Sequence, residues 1–133
     1  MREAIVPPGL EFFHDHLRHA PGLRSGDLLF VSGQIGLDGT MPPKLAEGAQ
    51  AQIDKAFDHI ATILEAAGAG FADVVEVNSF HFGSLPEQMP LMIGALAARF
   101  EAPYPSWTSV EVAGLAMPGC LVEIKVTARI PAV

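Results

Sequence analysis

The residues of this chain best suited to chemistry are five histidines, one cysteine, a Ser-Gly-Gln triplet and an isolated strand glutamate. His14 and His16 lie two apart, which on a helix points them about 200° from one another, so they cannot share a metal. No HxxxH or HExxH spacing occurs, and no acidic cluster has the spacing of a calcium loop, so no metal site is expected. His59 follows Asp58 in a helical pattern and reads as a surface or half-buried residue. Ser32-Gly33-Gln34 sits where a strand ends, without the G-x-S-x-G elbow of a serine nucleophile. Either Ser32 packs and Gly33 makes a bend, or Gly33 removes a side chain so that a ligand reaches backbone amides. Neither phosphate-loop glycine pattern is found. Glu123 lies in an alternating strand just after Pro118-Gly119. It is either a solvated strand residue beside Lys125 or a carboxylate at the mouth of a cleft, able to move protons.

The elements that must position these residues can be read from periodicity. Residues 1–8 are extended, and 9–19 suit a short helix with Leu10, Phe13 and Leu17 on one face. Gly26-Asp27 is a turn signal ahead of the buried strand Leu28 to Ser32. From Leu45 to Ala67 the pattern is helical: Ile53, Ala56, Phe57, Ile60, Ile63 and Leu64 share a face, while Gln52, Asp54, Lys55, Asp58 and Glu65 point elsewhere. Gly68 stands where a helix terminator belongs. A strand over 73–82 follows, then a helix from Pro86 to about Arg99, stopped by Pro103 and Pro105. Strands 107–112 and 121–130 flank a turn at 114–119. The order β-α-β-α-β-β, with one or two strands before it, is α+β: a single mixed sheet with two helices on one face. The opposite face, assigned small and apolar groups such as Val31 and Ser109, then needs another cover, and a second copy of the chain is the simplest one.

Composition sets the outer limits. Length suits one domain, taken as residues 1–133, since domains usually run to roughly 100–150 residues. Fifteen acidic against eight basic residues leave a net charge of −7, which speaks against a nucleic-acid partner. No apolar run reaches the roughly 18 residues of a membrane span, and no secretory pattern opens the chain. Cys120 has no disulfide partner. A cytoplasmic location is expected. Half of the residues are hydrophobic and the mean hydropathy is +0.32, so apolar surface is left over for partners or ligands.

Three passages resemble the RidA family, also called YjgF or endoribonuclease L-PSP-like proteins. They are GDLLFVSGQIGLD, ILEAAGAGFADVVEVNSF with its L-x-x-A-G-x-x-x-x-D-V-V pattern, and SVEVAGLAMPGCLVEIKVTA. They come in the family's order and spacing, and the match covers Leu23 to Ala128. The resemblance implies a chorismate mutase-like fold, a homotrimer whose sheets line a central barrel, and ligand clefts between subunits. It also implies hydrolysis of reactive enamines and imines, such as 2-aminoacrylate, to a keto acid and ammonia, without a cofactor. In such proteins an arginine just before the S-x-V-E-V strand clamps the substrate carboxylate. Here that position is Trp107, so this chain is a divergent member without the usual clamp. The family's carboxylate matches Glu123, its cleft tyrosine falls at about His19, an asparagine of the second helix falls near Ile93, and a frequent cysteine is Ser109. Backbone at Gly33, Thr108 and Ser109 should line the cleft.

Two functions follow from the resemblance. One is a deaminase-like hydrolase for a small metabolite, with Glu123 as acid and base and Trp107 as a wall for a planar ligand. The other is a trimer that keeps the pocket for binding or protein interaction but has lost the reaction. Arg18 and Arg24 are candidates to replace the missing cation from another direction, though nothing in the sequence places them.

Overall fold

A computed structural model of the chain describes residues 1–130. Six strands form one sheet: β1 (Arg2–Ile5), β2 (Gly22–Ser25), β3 (Leu28–Ile35), β4 (Val74–Phe82), β5 (Ser106–Val112) and β6 (Val122–Arg129). Three α-helices accompany them: α1 (Glu11–Asp15), α2 (Ala49–Ala66) and α3 (Leu85–Arg99). The strands lie in the order β1-β2-β3-β6-β4-β5. Only β4 and β5 run parallel, as the intervening helix α3 requires. The α+β class and mixed sheet agree with the sequence reading. Two strands precede β3, the upper end of the one or two expected, with β2 at residues the pattern did not mark, and the 9–19 helix contracts to one short turn.

α2 earns its helical form from its apolar stripe. Ile53, Ala56, Phe57, Ile60, Ile63 and Leu64 are all fully buried against β3, β6 and α3. It ends in a Schellman motif: Ala69 N–H donates to Leu64 O at 2.9 Å and Gly68 N–H to Glu65 O at 3.0 Å, with Gly68 at φ 78°. The helix begins at Ala49 rather than Leu45, because the preceding residues fold back. Leu45 bridges Leu37, and Ala46 N–H donates to Gly36 O.

Gln52 does not point outward as its polarity suggested. It is buried, and its amide ties three segments together. Nε2 donates to Ala46 O and Gly119 O, each at 3.1 Å, and Oε1 accepts Leu121 N–H at 2.8 Å. Gly36 makes this approach feasible, since a Cβ there would stand 2.6 Å from Gln52 O.

α3 starts with the Ser84 hydroxyl accepting Glu87 N–H and with Pro86 in its first turn. Its end is not made by Pro103 or Pro105: Phe100 is already extended and buried in a cluster with Phe57 and Phe71, whose ring centroids lie 5.4–6.2 Å apart. Packing of that phenyl turns the chain before the prolines are reached.

Alternation along the strands separates two faces. Leu29, Val31, Val77, Ile124, Val126 and Ala128 are buried beneath the helices. On the opposite face Phe30, Phe82 and Val110 remain 40–42% exposed. The open apolar face is therefore real, but Val31 and Ser109 do not belong to it. Val31 is buried, and Ser109 Oγ donates to Met89 Sδ of α3 at 3.5 Å. The register error has one cause: a strand's side-chain period is two, so a single-residue misassignment moves a side chain to the other face.

Replacing Gln52 by Leu keeps the volume but unpairs two carbonyls and an N–H in a buried setting. We expect Gln52→Leu to destabilise the fold by about 2–4 kcal/mol, read as a lowered urea midpoint with unchanged slope. A loss below about 0.5 kcal/mol would show that water replaces the amide.

Candidate functional site

Pairing between β3 and β6 shifts register between Val31 and Gln34. Ser32 and Gly33 form the bulge, and the structure supports both parts of the first sequence reading. Ser32 N–H donates to Pro21 O at 2.9 Å and its hydroxyl to Ala20 O at 2.6 Å. Gly33 lies directly against Glu123: a Cβ there would stand 2.7 Å from the Glu123 Cδ. Bulges commonly re-aim side chains beside functional sites, and here the bulge opens the space a carboxylate occupies.

Glu123 is half-buried, with Ile35 opposite it on β3 and Phe80 on β4. It lines a cavity of about 350 Å³. Leu10, Phe13 and Leu17 from the α1 region make one apolar side of it, and His19 and His59 contribute imidazoles. His59 Nε2 donates to Leu37 O at 2.9 Å, which leaves Nδ1 as the acceptor of the neutral ring. His19 Nδ1 is 3.4 Å from Leu17 O, and the ring tilts against Phe13 with centroids 5.9 Å apart. The pocket thus combines an apolar lining with three groups able to take up a proton.

His59 is half-buried as expected, but its place in this pocket was missed. The fold-back of residues 37–46 carries Leu37 over the α2 surface, and no local pattern announces that long-range contact. Cys120, next to the pocket strand, is a buried free thiol. Burial pushes its thiol above the usual range, with the Glu123 charge adding to the effect, and the thiolate is the reactive form.

The expected site residues fall into two groups. His19, Gly33 and Glu123 line one cavity. Trp107 and Ser109 face α3 on the other side of the sheet, where the indole N–H donates to Ser79 Oγ at 2.9 Å and Ile93 lines the same cavity as Trp107. Thr108 is exposed on the open face, paired with Asn78. Trp107 is therefore not a wall of the Glu123 pocket within one copy of the chain. Neither Arg18 nor Arg24 lines that pocket. Arg18 borders a neighbouring depression with Arg2 and His14, and Arg24 Nε donates to Gly26 O in its own turn. Among the described residues, no cluster of three His, Cys, Asp or Glu side chains suits a metal ion, and no helix is long and apolar enough to cross a membrane.

Comparison with known proteins gives this arrangement its context. RutC family protein YjgH of Escherichia coli K12 is 42% identical over 132 residues, covering 98% of this chain and 96% of its own. A solved structure described as protein YJGH superposes with a TM-score of 0.86 at 39% identity, covering 99% of this chain and 98% of its own. A 2-iminobutanoate/2-iminopropanoate deaminase of Dermatophagoides farinae is 28% identical over 99 residues, covering 73% of this chain and 74% of its own. The family model for endoribonuclease L-PSP matches residues 15–130. With that match over most of the chain, the 42% identity to YjgH and the shared mixed-sheet fold, the chain belongs to the endoribonuclease L-PSP family, the RidA/YjgF proteins.

Proposed function

We propose that this protein is a homotrimer that binds a small metabolite in clefts between its copies and hydrolyses an enamine, imine or related compound. The observation that carries this reading is the Glu123 carboxylate held over Gly33 at the side of a largely apolar cavity. In the reaction, an enamine first gives up an N–H proton and takes one on carbon to become the imine. Glu123 accepts a proton from water as the water oxygen bonds to the imine carbon. The carboxylic acid then returns that proton to nitrogen to give the carbinolamine, whose hydroxyl proton passes through Glu123 to nitrogen as the C–N bond breaks, and ammonia leaves behind a keto product. The deaminase name of the mite relative supports this chemistry.

Two features support assembly. The open face carries Phe30, Phe82 and Val110 with large exposed area, an arrangement that favours a protein partner. β5 is also an unpaired edge strand, so a neighbouring copy can bring Trp107 and Ser109 toward the Glu123 pocket. A ribonuclease role finds no support in a chain of net charge −7. Work in the cytoplasm is part of the same proposal.

One observation favours a second reading, a binding trimer without turnover. Trp107 replaces the carboxylate-holding arginine, and its N–H is already bonded to Ser79.

Light scattering at micromolar concentration should give about three times 14.1 kDa, and a stable monomer would overturn the shared cleft. Loss of the guanidinium should hold 2-aminoacrylate hydrolysis about 30- to 1,000-fold below that of an arginine-bearing relative. Trp107→Arg should raise that rate. Adding Glu123→Gln to it should remove the gain by about 10²–10⁴-fold, the usual worth of a positioned acid–base group, while the trimer persists. No gain in the arginine variant would leave the binding reading standing alone.

A further inference from the structure

On the helix-covered face behind β5, polar groups are joined end to end. The Trp107 indole N–H donates to Ser79 Oγ at 2.9 Å, and Ser79 Oγ lies 2.8 Å from His81 Nε2. His81 Nδ1 lies 2.7 Å from Gln88 Oε1, and Gln88 Nε2 donates to Phe82 O at 2.8 Å. Ser79, His81 and Gln88 are 1%, 0% and 5% exposed.

The two ends set the direction of every proton between them. An indole N–H can only donate, and a backbone carbonyl can only accept. With its amide nitrogen spent on Phe82, Gln88 presents oxygen to the imidazole, so His81 carries its proton on Nδ1. His81 Nε2 then accepts the Ser79 hydroxyl proton, and Ser79 Oγ accepts the indole N–H. Each polar atom in the chain of bonds already has a partner within the protein.

Trp107 also lines a cavity of about 360 Å³ beside Ile93, Leu96, Phe100, Tyr104 and Pro105. No charged side chain borders it. Since the indole donor is consumed, that wall offers a ligand carbon surface and a π face only. A carboxylate seated there would lose its hydration without gaining a cation.

We infer that Ser79, His81 and Gln88 are positioning residues that hold the Trp107 indole as a fixed apolar wall, and that the cavity takes an uncharged planar group, an aryl or aryl amide, in place of a carboxylate. This names the class of group held at the arginine position and rests on the proposed function only for its link to the Glu123 reaction.

Trp107 is the sole tryptophan, so intrinsic fluorescence reports on it directly. Ser79→Ala should shift its emission to the red, increase acrylamide quenching and weaken benzamide binding about tenfold, whereas Ser79→Thr keeps the hydroxyl and should restore all three. Benzamide should bind the unmodified protein about tenfold or more tighter than benzoate. Nitrogen NMR of the unmodified protein should show His81 as the Nδ1–H tautomer. An Nε2–H tautomer, unchanged Trp107 emission and quenching in a folded Ser79→Ala protein, or benzoate binding as tight as benzamide would each overturn the inference. If Ser79→Ala does not fold, the tautomer and the benzamide-to-benzoate ratio still decide. None of these readouts depends on turnover, so a silent Glu123→Gln would sink the hydrolase reading and leave them standing.

Discussion

The Gln52 side chain is the constraint from which the Glu123 pocket is built. Its amide reaches Ala46, Gly119 and Leu121, which lie on the loop after β3 and on the turn before β6. The entry of β6 is thereby fixed relative to α2, two residues before Glu123. The same contact presses Gly36 against the α2 backbone and brings Leu37 within reach of His59. A buried primary amide suits this duty because it donates twice and accepts on its oxygen without carrying charge.

From that anchor the sheet distributes chemistry to two sides. Alternation in β6 turns Glu123 away from the helices, the bulge at Ser32-Gly33 leaves room beside it, and alternation in β5 turns Trp107 and Ser109 toward α3. The chain thus presents a pocket lined by Glu123, His19 and His59 and a separate apolar slot beside Trp107. The separation leaves Trp107, bonded to Ser79 and packed beside Ile93, clear of the cavity that Glu123 lines.

Much of this was legible from residue order. The α2 stripe, the glycine stop at Gly68, the alternating β6 and the α+β succession come from local periodicity, and the structure keeps them all. The resemblance carried the family, and Glu123 and His19 do share a pocket with Gly33. What sequence could not give were contacts between distant segments. Gln52 looks like a solvent-facing helix residue until Gly119 and Leu121 arrive beside it. His59 looks idle until the loop folds back over it. Ser109 was placed on the wrong face because strand register, which decides the side of the sheet, is set by pairing partners absent from the local pattern. The helix end at Arg99 was credited to prolines when Phe100, drawn into the cluster with Phe57 and Phe71, had already turned the chain.

The position of β6 has a consequence for how the molecule comes into being. It is the last of the described strands in chain order, yet it lies in the interior of the sheet, paired with β3 on one side and β4 on the other. Without β6, β3 lacks its partner from Leu28 to Ile35 and β4 lacks its antiparallel neighbour, so two edges of the sheet stay unpaired. Such long-range pairing makes folding slow and leaves apolar edges open to other nascent chains. The strand that closes the sheet is also the one that bears Glu123, so the pocket and the finished fold appear in the same step.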